Sequence, residues 1–597
     1  MASIRIEEQS PENFVFSSRA KITTLVLMGV GLICLIASYF VDGGEGHHMR
    51  FWTNLLHNSV FFLGIAALAG FALAAFTTAY AGWFVQFKRV WESFASFLLP
   101  GLFLMGILIV GLFLHSHHIY HWNDEAAVAG DEILTHKSSF LNKYWYAGGT
   151  ILFVGLWYFL LGKMRNLSLA EDLDDKDTDF SYYRSYKKYA AIFLPIFGFT
   201  SAALIWQWIM SIDSHWYSTM FAWYATASLF VAMTALTIML LIYLKSRGYY
   251  LGVNAEHFHD LGKYLFAISI FWTYLWFSQY MLIWYANVGE ETIYFRERQD
   301  NYPVLFWANL AINFLLPFFI LMRNDTKRKM GTLFFASAFV FFGHWLDYFQ
   351  MIKPGARLTL IELEEHSTAH GEGEEHATMN HQEEALGEEE GHDVLALDDD
   401  HAADLQGDVD AEEVVSEDNT VSDEAKYADA TDIEEIDNIR TEGQNVNSAG
   451  LPVPTDPNNP RLQVGAQTVS DTNNVPLTSE FRGGPPEGEG TDGPREFAAV
   501  MERNETDVFE PNHYIQEQYV DDSELEMQGH LEVAGGHSEE KHTLGFKFGY
   551  TLPGLLEIGT FLGFFGGFLF FTLGQLAKAR LEPRHDPYLE ESVHHHT

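Results

Sequence analysis

Sulfur chemistry is nearly absent from this chain. Its one cysteine, Cys34, lies inside a long apolar run. That excludes an intrachain disulfide framework, a cysteine-ligated iron–sulfur cluster and a C-x-x-C-H haem attachment. Any redox metal serving this protein must belong to a partner. Positive charge is also scarce, with 36 Lys and Arg against 79 Asp and Glu, a net charge of −43. The deficit is local. Between Ile361 and Thr543 there are 49 acids and 7 bases, which leaves 30 acids and 29 bases for the rest of the chain. No nucleic-acid partner is expected from such a balance.

What is present is apolar sequence in runs of about 20 residues, the length a bilayer-crossing helix requires. Ten spans are predicted, at roughly 22–41, 54–82, 94–115, 145–164, 190–211, 218–244, 262–287, 304–322, 332–352 and 553–577. The segment from Met1 to Arg19 is polar and of mixed charge, and no small-residue cleavage site follows the first span. That span therefore reads as a retained anchor rather than a signal peptide. Short loops rich in Lys and Arg stay on the cytoplasmic side. Lys88-Arg89, Lys187-Lys188, Lys245 with Arg247, and Lys327-Arg328-Lys329 follow spans two, four, six and eight. Both termini are thus expected in the cytoplasm, with 1–20 and 579–597 as the cytoplasmic ends.

The acidic segment at about 356–550 falls on the opposite, periplasmic side. Runs such as Glu372-Gly-Glu-Glu375 and Asp398-Asp-Asp-His401 argue against a packed core, so a largely disordered insertion is expected. It would draw a basic partner such as a cytochrome c electrostatically. Aromatics at Asn512–Tyr519 and Leu544–Tyr550 offer docking points.

Polar groups within the spans crowd toward the same face. His57 begins span two, and His115, His117, His118 and His121 close span three. Asp213, His215 and Trp216 close span five. Gln279 lies late in span seven, His344 and Asp347 late in span nine, and Glu557 opens span ten. Ionisable groups at a membrane boundary are costly to desolvate and mark sites that handle protons, ions or polar headgroups. His–Asp pairs suit quinol oxidation, which needs a hydrogen-bond partner and a base at each oxygen, or a proton half-channel. Haem b would need two histidines at similar depth on facing helices, and these crowd toward one face instead. A short repeat is also visible: Asp213-Ser-His215-Trp216 ends span five, and His344-Trp345-Leu-Asp347 ends span nine. Spans 2–5 (about 52–212) and 6–9 (about 217–353) then read as two parallel four-helix bundles within 21–355, flanked by span one and by span ten at 551–578.

The run Trp208-Ile-Met-Ser-Ile-Asp213-Ser-His215-Trp216-Tyr217-Ser-Thr219, with Phe51-Trp52-Thr-Asn-Leu-Leu-His57-Asn58, Gly343-His344-Trp345-Leu-Asp347 and the tail Pro587-Tyr588-Leu589-Glu590-Glu591-Ser592, resembles the NrfD/polysulfide-reductase membrane-subunit family. The closer resemblance is to the ActF-type subunits (quinone-binding subunit 2) of Alternative Complex III, bacterial quinol:cytochrome c oxidoreductases. The resemblance covers the spans and not the acidic insertion. It implies an all-α integral membrane fold in the bacterial inner membrane. It also implies an iron–sulfur, molybdopterin-like partner, multihaem cytochrome c subunits and a sister NrfD-like membrane subunit, with membrane lipid around them. The chain would bind menaquinone or another quinone, or supply a proton path, with no haem or iron–sulfur cluster of its own. The alternatives are a structural scaffold in the same complex, or a secondary transporter.

Overall fold

The computed structural model describes residues 11–42, 48–174, 179–389 and 546–596, with side chains described outside 126 and 362–389. The helical unit comprises Met1–Asp393 with His537–Thr597. The acidic insertion expected to be disordered lies, from 390 to 545, outside the described residues, and so does the aromatic stretch Asn512–Tyr519.

The main helices are α1 (Ser18–Val41), α2 (Met49–Thr78), α3 (Lys88–Ala95), α4 (Leu98–Phe113), α5 (Lys143–Glu171), α6 (Ser181–Trp208), α7 (Thr219–Ser246), α8 (Ala255–Ala286), α9 (Gly289–Asn301), α10 (Pro303–Leu321), α11 (Met330–Glu389) and α12 (Leu555–Leu576). Among the described residues nine helices are long and apolar enough to cross a membrane. The span expected at 332–352 is the first part of α11, where His344, Asp347 and Gln350 interrupt the apolar run. That helix continues past the expected boundary at 355 to Glu389.

Local chemistry sets several helix ends. The Asn142 side chain caps α5 by accepting from the Tyr144 and Trp145 amides, and Asn254 caps α8 in the same way through Glu256 and His257. Within α10, residues Ala311–Leu315 open into a π turn just before Pro317. Proline carries no N–H and its ring crowds the carbonyl four residues back, so the ladder widens there. Asn309 and Asn313, four residues apart, share one inward face, where the Asn313 amide donates to Asn309 Oδ1 at 2.6 Å.

Two helices occupy the centre. The apolar stretch of α2 is 83 % buried and that of α7 is 78 % buried, against 17 % for α1. Small residues along α2, such as Ala66, Ala69 and Ala74, let neighbours approach closely. Packing runs round two circuits. In one, α2 touches α4 and α6, and α5 closes the ring between them; in the other, α7 touches α8 and α11, and α10 closes the ring. The circuits share the contacts of α2 with α7 and α11. Helix α1 packs on α12 through Gly31 and Gly563, where a Cβ on either residue would collide with the Cα of the other.

The tail after α12 lies across the Lys/Arg-rich end. Lys88 meets Asp586 at 2.8 Å, both buried, the Arg584 amide donates to Asp172 at 2.8 Å, and Ser592 donates to the Trp83 carbonyl at 3.0 Å. At the other end Tyr550 does not face outward to a partner. It is fully buried and its hydroxyl donates to Asp42 at 3.0 Å, because the chain must turn there to enter α12.

Candidate functional site

The turn between α6 and α7 is a short 3₁₀ segment, Met210–Ile212, that places Asp213 over the bundle and turns His215 outward. Asp213 accepts from Arg298 Nη2 at 3.0 Å. Arg298 is 1 % exposed, and its guanidinium is further held by the carbonyls of Tyr294, Gln350 and Met351. It lies 3.4 Å over the Tyr294 ring, and Trp216 stacks on that same ring at 4.0 Å. Burial pushes the Asp213 carboxyl upward against the pull of Arg298, and burial likewise raises Glu297 beside it. Asp213, Arg298, Trp216 and Glu297 line a cavity of about 100 Å³. His215 is exposed and pairs with Asp131 instead, while Lys137 Nζ donates to the Ser214 and His215 carbonyls at 2.8 and 2.9 Å. The structure therefore separates the two motif residues: Asp213 faces inward and His215 faces outward.

Deeper in the bundle, Asp347 is wholly buried and takes hydrogen bonds from three other helices. Tyr224 of α7 and Asn309 of α10 (2.7 Å) donate to Oδ1, and Ser228 of α7 (2.8 Å) and Trp272 of α8 (2.9 Å) donate to Oδ2. All four donors are neutral. Ser228 Oγ also lies 2.9 Å from His344 Nδ1, and His344 Nε2 is buried with no partner among the described residues. Buried polar atoms are nearly always paired, so an open imidazole nitrogen here is informative.

A small cavity of about 10 Å³ lies between Arg298 of the first cluster and Tyr224 of the second. Tyr224, Gln279, Gln350 and Arg298 line it, and both Gln279 Nε2 and Gln350 Oε1 lack partners among the described residues. Space of that size with unpaired donors and acceptors suits about one water molecule. A line of polar groups thus runs from Asp213 and Arg298 through Gln279 and Gln350 to Tyr224, Asp347, Ser228 and His344.

His57 belongs to a second cluster on the other side of α11. Its Nε2 lies 3.0 Å from the Trp345 carbonyl, its ring stacks on Trp345, and Trp345 Nε1 donates to Asn58 Oδ1 at 3.0 Å. One turn away, Glu557 accepts both arms of Arg50, at 2.7 and 2.9 Å, and the Asn54 amide at 3.1 Å. It also takes the Gly554 amide at the start of α12. Lys353 donates to Thr53 and Asn54 at 2.6 and 2.8 Å. Glu557 is therefore held by one fixed cation, Arg50, and by the Asn54 and Gly554 donors.

His115 sits at the exposed end of α4 with a left-handed backbone. It lines a cavity of about 310 Å³ with His117, His118 and His121. Burial holds His117 down to about 4. Among the described residues no group of three or more His, Cys, Asp or Glu is placed to hold a metal.

Arg298, Tyr224, Arg50 and Lys353 were not legible as site residues. Arg298 lies in a polar segment outside the spans, and Tyr224 is one aromatic among many. The cations Arg50 and Lys353 at the ends of apolar runs were the one available signal. No family model matches the chain, and no curated relative matches it either. Fold and buried polar interior together define a multi-pass helical membrane protein.

Proposed function

We propose that this chain is a membrane subunit of a quinol:cytochrome c oxidoreductase of the Alternative Complex III type, and that its own contribution is a proton path. The line of polar groups from Asp213 to His344 is the observation that carries this reading. Tyr224 borders the water-sized cavity and donates to Asp347. A proton arriving at the phenol oxygen releases the phenol's own proton to the carboxylate. The Ser228 hydroxyl touches both Asp347 and His344, so it passes the proton on to the imidazole.

In this reading the two packing circuits are the two four-helix bundles, both termini are cytoplasmic in a bacterial inner membrane, and the acidic insertion is periplasmic. Electrons are carried by iron–sulfur and multihaem cytochrome c subunits, beside a sister NrfD-like subunit. Quinone oxidation falls to a partner surface rather than to the buried cluster.

The test is purification from native membranes in mild detergent, with mass spectrometry and haem and iron assays on the co-eluting chains. Co-elution with multihaem cytochrome and iron–sulfur subunits, together with quinol:cytochrome c activity, is expected. Elution of this chain without haem or iron sinks the assignment to a respiratory complex.

A further inference from the structure

Away from the polar line, at the Lys/Arg-rich end, a cavity of about 540 Å³ opens between α2, α3, α4, α5, α6 and α12. One wall is apolar, formed by Leu73, Leu99, Leu161 and Phe571. Leu99 is 49 % exposed and Phe159 54 % exposed, so the cavity opens on the flank that faces acyl chains. The other wall is cationic. Lys163, Arg165 and Lys578 line it, and the Arg165 guanidinium is aimed by the carbonyls of Glu92 (3.2 Å) and Gln575 (3.0 Å) and by Ser96.

Two further groups point to a ligand. Glu92 is 3 % exposed, and its Oε2 accepts from Arg89 at 2.5 Å, while its Oε1 has no partner among the described residues. The Tyr186 hydroxyl is buried and likewise unpartnered. Both residues line this cavity. A larger groove of about 690 Å³, bordered by Arg19, Tyr243 and Arg247, has no such unpaired buried atom in its lining.

Apolar walls open to the bilayer, cations at the bilayer boundary and an unmet acceptor behind them describe one chemistry. It is an amphiphile with two acyl chains, a phosphodiester, and a hydrogen-bond donor beyond the phosphate. We infer that this cavity binds one glycerophospholipid. Its phosphodiester lies against Lys163, Arg165 and Lys578, its chains against Leu73, Leu99 and Phe571, and its headgroup ammonium or hydroxyl reaches Glu92 Oε1 and Tyr186. Basic pockets between helices at this boundary hold lipid headgroups in the same way. The bound lipid bridges α5 to α12.

Native mass spectrometry of the full chain, delipidated in detergent, tests this. Phosphatidylethanolamine, phosphatidylglycerol, phosphatidylcholine and inorganic phosphate are added in turn. One tightly retained phosphatidylethanolamine or phosphatidylglycerol is expected. Phosphatidylcholine, which has the phosphate but no donor, is expected to bind about tenfold more weakly. Lys163→Ala with Lys578→Ala leaves the Arg165 contacts intact and should weaken retention about tenfold to thirtyfold. Leu99→Trp, which fills the entrance without touching a hydrogen bond, should abolish it. Equal retention in the wild type and both variants overturns the site. Displacement of the lipid by inorganic phosphate overturns it in favour of a free-anion site, and equal binding of phosphatidylcholine removes the role of Glu92 and Tyr186.

Discussion

Asp347→Asn separates the packing role of the buried carboxylate from its proton role. The carboxylate takes four neutral donors, two on each oxygen. Asparagine keeps the shape and one oxygen, so Tyr224 and Asn309 retain their acceptor. The other oxygen becomes an NH₂ group facing the Trp272 N–H, while Ser228 remains satisfied at His344. Two buried N–H groups, that of Trp272 and one of the new amide, are then orphaned, at about 1–3 kcal/mol each. Part of this is offset, because burying an ionised carboxylate itself costs several kcal/mol. The net loss of stability should therefore stay below about 3 kcal/mol. Alanine at the same position orphans the Tyr224, Asn309 and Trp272 donors together and should cost roughly 3–9 kcal/mol. Asn at 347 should thus assemble while the alanine variant fails. The assay is proton movement in vesicles carrying the purified complex, read with a pH-sensitive dye during quinol turnover. Loss of a positioned proton-transfer group lowers rates about a hundredfold or more. Tyr224→Phe, which leaves three donors on the carboxylate, should produce the same loss. Wild-type proton movement in a correctly assembled Asp347→Asn complex refutes the path.

Two further outcomes follow from packing. His117 is held at about 4 by burial, against an unfolded value near 6.5. Between those values the unfolded chain takes up a proton that the folded chain refuses, so this contribution is intact above pH 6.5 and is lost as the pH falls toward 4, by up to about 3 kcal/mol. Melting curves at pH 7 and pH 5 should show that loss, and His117→Phe should reduce it; the same pH slope in both proteins contradicts the burial argument. Gly563→Leu forces α1 off α12 and should cost about 1–3 kcal/mol or more of thermal stability. Gly574→Leu, on the same helix but with open space around it, should be close to neutral, and equal losses for the two would remove the close crossing as the cause.

Hydropathy located the helices because a bilayer demands about 20 apolar residues whatever their neighbours are. It also placed Asp213, Gln279, His344, Asp347 and Glu557 within or beside apolar runs, where a polar residue stands out against its background. Periodicity sees only nearby residues, and most partners of these groups are distant in the chain. Arg298 lies 85 residues from Asp213, and Arg50 lies 507 residues from Glu557. The Asp213-x-His215 spacing suggested a working pair. A tight turn sends residues two apart to different sides, so one entered the bundle and the other met Asp131.

The amino-acid sequence by itself determined the membrane-spanning class, the concentration of acid in one insertion and the presence of polar groups in apolar helices. Each is a property of composition along a line. The tertiary structure alone decided which of those groups meet. Asp347 is a shared acceptor because α7, α8 and α10 converge on it, whereas Glu557 is bound by Arg50 and Asn54 where α2 crosses α12. Chemically similar carboxylates were given different surroundings by helix packing, which no local run of residues encodes.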